Sequence, residues 1–567
     1  MPEGFPADRL SSLNKRSRAK PFFHIPFAPH EPNALPEPRA MSRGFFRSTL
    51  VVGLTTLLSR ITGLGRDVVY ASMVPAAALE VFVLANQIPN LLRRLFAEGA
   101  FSQAFVPVVA EYKTTRSTEE VRGLVDSVAG TLGVVLIAIS AIGVLAAPVI
   151  VLITAPGFAT KEEGQFPLAV EMLRWTFPYV LFVSLTALAG GVLNSYKQFA
   201  LPAFTSVALN LVMIVFAVWV SPYFDQPVVA LAVGVFVGGI VQLAILLPPL
   251  LKLKVIRLPK WNFQHEAVRR IARLMGPAII GSSMGQLSII ISTGIASLLS
   301  DGSMTWLYLA DRLVEFPLGV FSIALATVIL PSLSAQHAEK SADDFSATLS
   351  WAVRLVCLIV IPASVALFAI AGPLTVTMYH RREFTDFDVE MTQIALMAFS
   401  FALLGWSLIK VLAPGYYARQ DTKGPVKVAM RALALTMLLN LIVVAALAAT
   451  DNLKSEGAHA LLALTNGVGA IFNAASLYMG LRRKNILHRH PGGVALLAKI
   501  VTASAAMAGF LIWFSGSLDQ WLQTPALDRA VWLAGLVVGG GAIYFAVLFG
   551  LGVRLHQFKV QAALAAR

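Results

Sequence analysis

Long apolar runs separated by short polar loops fill the sequence from about residue 48 to residue 552. A membrane-spanning helix needs about 20 apolar residues, whereas a membrane-spanning strand alternates polar and apolar positions. The runs have the first pattern, so they predict an all-α integral membrane protein with about fourteen transmembrane helices. The predicted cores lie near residues 48–70, 79–106, 127–154, 173–193, 203–220, 228–249, 274–300, 305–331, 353–378, 390–413, 426–449, 458–481, 494–515 and 530–552.

The composition also indicates a bilayer rather than a water-soluble core. Of the 567 residues, 57% are hydrophobic and 13% are charged, which is too apolar for an ordinary soluble domain. The single cysteine, Cys357, lies in an apolar run, so neither disulfides nor thiolate metal sites are predicted. The net charge of +14 comes from basic residues in short loops, so it indicates membrane topology rather than nucleic-acid binding.

The basic loops predict the orientation in the membrane, because cytoplasmic loops carry an excess of Lys and Arg. The loops after the second, sixth, tenth and twelfth segments contain Lys113, Arg116 and Arg122; Lys252, Lys254, Arg257, Lys260, Arg269 and Arg270; Arg419, Lys423 and Lys427; and Arg482, Arg483, Lys484 and Arg489. The alternate loops are poor in basic residues, with Arg381 and Arg382 as the main exception. Both termini are therefore predicted to be cytoplasmic.

Three sequence echoes about 220 residues apart indicate an internal repeat within the first twelve segments. GAFSQA at 99–104 matches GVFSIA at 319–324, AAP at 146–148 matches AGP at 371–373, and Tyr196 with Pro202 matches Tyr417 with Pro425. Six helices per unit is an even number, so both units would share one orientation, as in parallel-repeat transporters. The repeat predicts two six-helix lobes with a cleft between them.

The repeat also predicts where the chain divides. Residues 253–273 read as an amphipathic cytoplasmic connector, with Trp261 and Phe263 as anchors at the membrane surface. Met41 begins a stretch that would itself make a natural N-terminus, so the first forty residues are either an extension or an over-called start. The predicted parts are a disordered cytoplasmic tail (1–42), an N-lobe of helices 1–6 (43–252), the connector (253–273), a C-lobe of helices 7–12 (274–484), helices 13–14 (485–555) and a cytoplasmic tail (556–567).

Charged side chains occur inside three predicted segments. Each costs roughly 2.5 to 3.5 kcal/mol at bilayer depth, so it is expected to face a cavity or a partner. Arginine is in excess in the first two segments, and its planar fork suits phosphate oxygens. The charges are Arg60, Arg66 and Asp67 in the first segment, Glu80, Arg93, Arg94 and Glu98 in the second, and Asp311, Arg312 and Glu315 in the eighth.

The same spacings also fit purely structural ion pairs. Glu315 lies one helical turn from both Asp311 and Arg312, so this cluster could be satisfied internally. Arg94 and Glu98 have the same i, i+4 spacing, and Arg60 and Asp67, seven residues apart, could share a face. Both interpretations, cavity lining and structural pairing, therefore stay open for these residues.

Catalytic signatures are missing from the sequence. It contains no Walker-type phosphate loop, and its nine histidines lie almost entirely in tails and loops without metal-ligand spacing. We therefore expect a transporter with no cofactor and no metal site, driven by the membrane potential or by an ion gradient.

Four motifs carry a resemblance to a known family. SRITGLGRD from Ser59 and IPNLLRRLFAEGAFSQAFVPVVAEYK from Ile88 lie in the first lobe, and ADRLVEFPLGVFSIALATVILPSLS from Ala310 and APGYYARQDTKGPVK from Ala413 lie in the second. Together they resemble the MurJ (MviN) lipid II flippase family of the MOP exporter superfamily, over about residues 43 to 555. The resemblance implies fourteen helices in two six-helix lobes, a cationic cavity for a diphosphate headgroup, and a groove for the polyprenyl tail lined with help from the last two helices.

By motif position, the resemblance implies a substrate site made of Arg60, Arg66, Arg93, Glu98, Asp311, Arg312 and Glu315, with Glu80 where relatives usually have Asp. Gln87 stands where some relatives have Lys. The implied function is the translocation of lipid II, the peptidoglycan precursor, from the cytoplasmic to the periplasmic leaflet of the bacterial inner membrane by alternating access. The implied partners are lipid II, membrane lipids and other cell-wall synthesis proteins, and no nucleic acid is expected.

Other functions remain as alternatives. A sister flippase for another polyprenyl-linked glycolipid would need similar charges, because it too carries a phosphate-linked headgroup. A cationic-drug antiporter should have an acidic cavity. A membrane glycosyltransferase should have a large extramembrane catalytic loop, and a scaffold would not need charges buried in three helices.

Overall fold

The computed structural model describes residues 43–94, 101–160, 164–257, 259–319, 323–339, 341–488 and 492–554. Within these ranges every regular element is a helix, and the chain from Leu50 onward forms one compact unit. The predicted tails at 1–42 and 556–567 lie outside the described residues. The all-α prediction is thereby confirmed.

The fourteen predicted segments each coincide with one helix or with two consecutive helices. The helices of the first half are α1 (Arg43–Met73), α2 (Ala76–Arg93), α3 (Phe101–Thr115), α4 (Thr118–Leu145), α5 (Ala147–Thr154), α6 (Gln165–Thr176), α7 (Tyr179–Ser195), α8 (Ala200–Val215) and α9 (Pro227–Lys252). Those of the second half are α10 (Glu266–Ser297), α11 (Ser303–Pro317), α12 (Ile323–Ala338), α13 (Ala342–Ala369), α14 (Ala371–Tyr379), α15 (Asp386–Tyr417), α16 (Lys423–Ala449) and α17 (Ala458–Arg483). The chain continues with α18 (Gly493–Ser515), α19 (Leu518–Gln523) and α20 (Ala526–Gly550).

Ten helical stretches of the described chain are long and apolar enough to cross a membrane. They correspond to the third to sixth and the ninth to fourteenth predicted segments. The other four segments are α1, α2 with α3, α10, and α11 with α12, which are the first two segments of each half. Three of these helices, α1, α2 and α11, carry the charges that the sequence placed at bilayer depth.

The positions at which two long helices are interrupted match the internal repeat. The fourth helix ends at Leu145 and α5 starts one residue later at Ala147; likewise α13 ends at Ala369 and α14 starts at Ala371. Both short helices carry proline near their starts, within the AAP and AGP echoes, where a proline ring is tolerated but would break a continuous helix. The third segment of each half is therefore interrupted in the same way, whereas the fourth is divided into α6 and α7 in the first half and is the single helix α15 in the second.

The basic loops meet at one end of the helical bundle, which we call the basic end. Lys113 donates to the Ser195 carbonyl at 2.6 Å, and Arg122 donates to the Lys254 carbonyl at 2.7 Å. In the second half, the hydrogen bond that Lys484 donates to Asp421 at 2.7 Å lowers the pKa of this carboxyl group. Such exposed pairs add little stability, but they show that the loops after α3, α7 and α9 lie together in the first half, and those after α15 and α17 in the second.

The remaining loops meet at the other end of the bundle, which we call the opposite end. Thr305 at the start of α11 donates to the Ala76 carbonyl at the start of α2, at 2.7 Å. The Gly157 amide donates to the Ser297 hydroxyl at the end of α10, at 3.1 Å, and both groups are buried. Each of these bonds joins the first half of the chain to the second.

The connector between the halves is shorter than the sequence predicted. The prediction extended it to residue 273, whereas α10 already begins at Glu266. The His265 side chain caps this helix by accepting a hydrogen bond from the Ala267 amide at 3.2 Å. A ring nitrogen in this place satisfies an amide that has no partner within the helix, so the helix starts two turns earlier than hydropathy alone indicated.

The connector is fixed to α4 through its backbone. The Lys260 amide donates to the Asp126 carbonyl at 2.9 Å, and the Arg257 amide donates to the buried Asp126 carboxylate at 2.9 Å. Directly after these contacts, Trp261 and Phe263 are 59% and 51% exposed. Their rings thus lie open beside a firmly held backbone, and their place at the membrane surface stays a prediction.

Gly130 of α4 permits this close approach. A Cβ atom at this position would lie 2.3 to 2.5 Å from the backbone of Lys260, whereas nothing lies within 4 Å of the same point at Gly133. We therefore expect Gly130→Ala to destabilise the protein by about 1–3 kcal/mol through overpacking, and Gly133→Ala to be neutral or slightly stabilising. Thermal unfolding of both purified variants in detergent checks this, and equal melting temperatures would contradict it.

Candidate functional site

A cavity of about 1190 Å³ lies between the two halves. It is larger than a typical drug-sized pocket of roughly 300–1,000 Å³. Its described charged lining contains five arginines and three carboxylates, which gives a net charge of +2. These residues are Arg60, Arg66, Asp67, Arg93, Arg94, Asp311, Arg312 and Glu315.

Arg66 and Asp67 form the most buried ion pair of the cavity. Two nitrogens of Arg66, Nη2 and Nε, donate to Asp67 Oδ1 at 2.6 and 2.9 Å. The third nitrogen, Nη1, donates to the Asn210 side-chain oxygen of α8 at 3.0 Å. The Asn210 amide in turn donates to the Ser59 carbonyl at 3.1 Å. All three guanidinium nitrogens of Arg66 are thus engaged by the protein, and its side chain is only 13% exposed.

Two residues of α11 reach this pair from the second half of the chain. The Tyr308 hydroxyl donates to Asp67 Oδ1 at 3.0 Å and accepts from Arg66 Nη2 at 3.2 Å. Arg312 Nε lies 3.6 Å from Asp67 Oδ2, and the Arg312 guanidinium also lies over the Tyr308 ring at 4.8 Å. Asp67, which is 1% exposed, is therefore shared between arginines from both halves.

The structural pairing that the sequence left open at α11 is found for Arg312 and Glu315, whose Nη1 and Oε2 atoms are 2.6 Å apart. Both side chains remain partly exposed, at 33% and 40%, so the pair is open to the cavity. Asp67 pairs with Arg66 and Arg312 rather than with Arg60. Arg60 instead donates to the Glu315 carbonyl at 3.4 Å.

Arg60 depends on a glycine from the other half of the chain. A Cβ atom at Gly319 would lie 1.9 Å from Arg60 Nη1 and 2.2 Å from its guanidinium carbon. Gly319 belongs to the repeated GVFSIA motif. Its missing side chain leaves the space in which the Arg60 guanidinium lies.

The remaining predicted site residues have different placements. Arg93 lines the cavity and donates to the Asn90 side chain at 3.1 Å, and Asp311 lines the cavity next to Arg312. Glu98 lies outside the described residues. Its predicted pairing with Arg94 therefore stays a prediction.

Glu80 is not among the residues that line the cavity. Its side chain is fully buried, and its carboxylate accepts a hydrogen bond at 3.0 Å from the Gly302 amide at the start of α11. Gly302 has a φ of +91°, a conformation that favours glycine. A carboxylate at a helix N-terminus is favourable, and here it links α2 of the first half to α11 of the second. The position of Glu80 therefore argues for a contact between the halves rather than for substrate binding.

Gln87, which stands where some members of the resembling family have Lys, also joins the two halves. Its side-chain nitrogen lies 2.7 Å from the Thr293 hydroxyl of α10, and its oxygen lies 2.9 Å from the same hydroxyl. Both residues line the cavity. A neutral hydrogen-bonded pair thus stands where a lysine would add a positive charge.

Sequence reasoning missed two members of the central cluster, Asn210 and Tyr308. It named Asp67 as an intramembrane charge but considered only Arg60 as its partner. Asn210 could have been found, because an amide within the apolar segment 203–220 is costly without a partner. Tyr308 lies one helical turn from Asp311 and Arg312, but its contact with Asp67 depends on how the halves pack.

A second, apolar groove of about 470 Å³ lies among α13, α15, α17 and α18. Its wall includes Leu408, Leu496 and Ile500, with Arg354 and His488 as its basic residues. The side of α15 that carries Phe399 and Trp406 lines the cavity instead. Of the last two transmembrane helices, α18 lines this groove, whereas α20 contributes none of its described lining residues.

Possible metal ligands are dispersed in the structure. Among the described residues, no group of three or more His, Cys, Asp or Glu side chains is placed to hold a metal ion.

Comparisons with known proteins agree on one family. A model of the family "Lipid II flippase MurJ" matches residues 71–529. The chain is 42% identical over 526 residues to a "Probable lipid II flippase MurJ" of Vibrio cholerae, covering 92% of this chain and 98% of the relative. It is 41% identical to a "Lipid II flippase MurJ" of Burkholderia cenocepacia, covering 91% and 99%.

Solved structures share the fold. A "Lipid II flippase MurJ, inward closed conformation" aligns with a TM-score of 0.72 at 22% identity, covering 88% of this chain and 98% of the other. An inward-facing multidrug transporter of the MATE family, in the MOP superfamily, aligns with a TM-score of 0.59 at 14% identity, covering 79% and 98%. The chain is thus a multi-pass membrane transporter rather than an enzyme, and it belongs to the lipid II flippase MurJ family.

Proposed function

We propose that this protein moves lipid II from the cytoplasmic to the periplasmic leaflet of the bacterial inner membrane. The observation that carries the proposal is the large, net-positive cavity between two repeated halves, in a chain whose relatives of 41–42% identity are named lipid II flippases. A diphosphate is the part of lipid II that such a cavity would recognise, because guanidinium groups bind phosphate oxygens with paired, directed hydrogen bonds.

The basic end is the cytoplasmic end in this proposal. The loops that meet there carry most of the loop Lys and Arg residues, and short basic loops stay on the cytoplasmic side. Both termini are then cytoplasmic. The cavity lining extends towards this end as far as Asn194 and Pro202, on the side where lipid II is made.

Arg60, Arg93 and Arg312 are the arginines proposed to contact the diphosphate first. Arg66 is bonded to Asp67, Asn210 and Tyr308. It therefore adds positive charge to the cavity but offers the diphosphate few free hydrogen-bond donors. The cavity lining also includes the side-chain amides of Asn86, Asn90 and Asn194, which would face the sugar and peptide parts of the headgroup.

Alternating access requires the opposite end to open. In this structure that end is joined by Glu80 with Gly302, Thr305 with Ala76 and Gly157 with Ser297. These are a few hydrogen bonds around a shared apolar cluster, so rocking of the halves can break them together. In this proposal, Glu80 helps to keep the opposite end closed through its hydrogen bond with the Gly302 amide.

The apolar groove among α13, α15, α17 and α18 is the proposed site of the polyprenyl tail. It lies towards the basic end, since its lining includes Ser350 of α13 and Gly493 of α18, near the start of each helix. A tail held there would stay in the apolar phase while the headgroup occupies the cavity.

The driving force is proposed to be the membrane potential or an ion gradient. A charge that crosses 100 mV is worth about 2.3 kcal/mol, and a diphosphate carries charge through the membrane. Other cell-wall synthesis proteins are proposed as partners that supply or consume lipid II.

A sister flippase for another polyprenyl-linked glycolipid is the main alternative function. The cavity charge suits any phosphate-linked headgroup, so the sugar-peptide part would decide between the two. The positive cavity argues against a cationic-drug antiporter.

Complementation of a flippase-depleted strain tests the proposed function. Wild-type protein should restore lipid II accessibility on the outer face of the membrane. Arg312→Gln should reduce it at least about tenfold, because one charge-assisted hydrogen-bond donor to the diphosphate is worth about 1.5–3 kcal/mol. Arg174→Gln, which removes an exposed arginine at the end of α6, is the matched control and should restore accessibility. Accumulation of a different glycolipid inside, with lipid II accessibility unchanged, would contradict the substrate assignment.

Gly319→Ala tests the contribution of Arg60. The added methyl group would displace the Arg60 guanidinium, which is flexible, so the protein should fold and reach the membrane while transport falls several-fold. Gly65→Ala is the control, since nothing lies within 4 Å of the added atom. Normal transport by Gly319→Ala, at equal protein levels, would show that the position of Arg60 is unimportant.

Cys357 offers a direct probe of the tail groove. It is the only cysteine of the chain, it lines the groove, and it is partly exposed. Lipid II should slow its modification by a membrane-permeant maleimide, because a tail in the groove would cover the thiol. A phospholipid such as phosphatidylglycerol is the control, and Cys357→Ser measures background. An unchanged rate at saturating lipid II would rule out the groove as the tail site.

A further inference from the structure

The central cluster pairs each of its two best-placed arginines with the same carboxylate. Asp67 Oδ1 accepts two bonds from Arg66, and Asp67 Oδ2 lies 3.6 Å from Arg312. These arginines come from different halves of the chain, α1 and α11. An anion that binds both at once must therefore meet Asp67.

We propose that Asp67 is an internal anion that competes with the substrate diphosphate for Arg66 and Arg312, and that Tyr308 is the positioning residue that holds Asp67 in this role. The proposal deepens the proposed function, since it rests on Arg312 as a contact of the diphosphate.

Burial makes this competition necessary. Asp67 is 1% exposed and Arg66 is 13% exposed, so each would be left as a desolvated charge if its partner moved away. Such a charge is strongly unfavourable in a low-dielectric site. When the diphosphate leaves, Asp67 can neutralise the arginines again, which lowers the cost of releasing the substrate.

Release is a requirement of transport. A carrier must bind its cargo well enough to take it up and weakly enough to let it go. A cavity with five arginines would hold a diphosphate tightly, and differences in affinity are mostly differences in the rate of release. An internal carboxylate between Arg66 and Arg312 opposes this and keeps the substrate exchangeable.

Tyr308 sets the geometry of the exchange. Its hydroxyl donates to Asp67 Oδ1 at 3.0 Å and accepts from Arg66 Nη2 at 3.2 Å, while its ring lies against the Arg312 guanidinium. One side chain from α11 thus contacts all three charged groups. Asn210 completes the arrangement by accepting from the Arg66 nitrogen that faces away from Asp67.

The test compares lipid II affinity among variants of the full chain in nanodiscs. Asp67→Asn should bind lipid II about tenfold more tightly than Asp311→Asn, with slower release, because only the first removes the carboxylate that Arg66 and Arg312 share; a tenfold change corresponds to about 1.4 kcal/mol. Asp311→Asn is the matched control, since it removes one negative charge from the same cavity, but the ion pairs of Arg66 and Arg312 are made with Asp67 and Glu315.

A second variant, Tyr308→Phe, keeps the proposal testable if Asp67→Asn fails to fold. Tyr308→Phe keeps the ring and removes only the hydroxyl, so it should also tighten binding, by less than Asp67→Asn, and slow release. A merely structural role for either residue would weaken binding or leave it unchanged. Affinity of Asp67→Asn equal to or weaker than that of Asp311→Asn, or affinity of Tyr308→Phe equal to or weaker than that of the wild type, overturns the proposal.

Arg312→Gln separates this proposal from the function on which it rests. If Arg312→Gln weakens lipid II binding while Asp67→Asn fails to tighten it, the diphosphate site stands and the competition is wrong. If Arg312→Gln leaves the affinity unchanged, the diphosphate site itself is wrong, and the competition with it.

Discussion

The cost of burying charge inside a membrane protein governs this structure. An arginine or aspartate taken out of water loses several kcal/mol of solvation and must regain it from a partner. Asp67, Arg66, Arg312 and Glu315 meet this demand among themselves across the gap between α1 and α11. The same cluster therefore stabilises the packing of the two halves while staying net neutral, and the excess positive charge of the cavity comes from Arg60, Arg93 and Arg94.

The arrangement of the helices follows from this cost. Ten spans are apolar enough to cross a membrane, while α1, α2 and α11 carry charges and line the cavity. These charged helices open each half of the repeat, so the parallel relation between the halves brings them together at the centre. The apolar spans pack around them, and α7, α8, α9 and α15 also contribute residues to the cavity wall.

Contacts between the halves have different strengths at different depths. At the opposite end, a few buried hydrogen bonds and one shared apolar cluster close the gap, and the Glu80 carboxylate sits at the N-terminus of α11. In the centre, ion pairs join α1 to α11. In the proposed mechanism, a substrate diphosphate that reaches the centre acts on these same contacts between the halves.

The sequence by itself determined much of this protein. Hydropathy predicted all fourteen segments, because the need for about 20 apolar residues per span is local and regular. The cost of intramembrane charge pointed to Arg60, Arg66, Arg93, Asp311, Arg312 and Glu315, all of which line the cavity. What only the tertiary structure decided is which charge meets which. The helical spacing within α1 could not reveal that Asp67 pairs with Arg312 of α11, that Glu80 turns to Gly302 instead of the cavity, or that Gly319 makes room for Arg60, because each contact joins residues more than 200 positions apart.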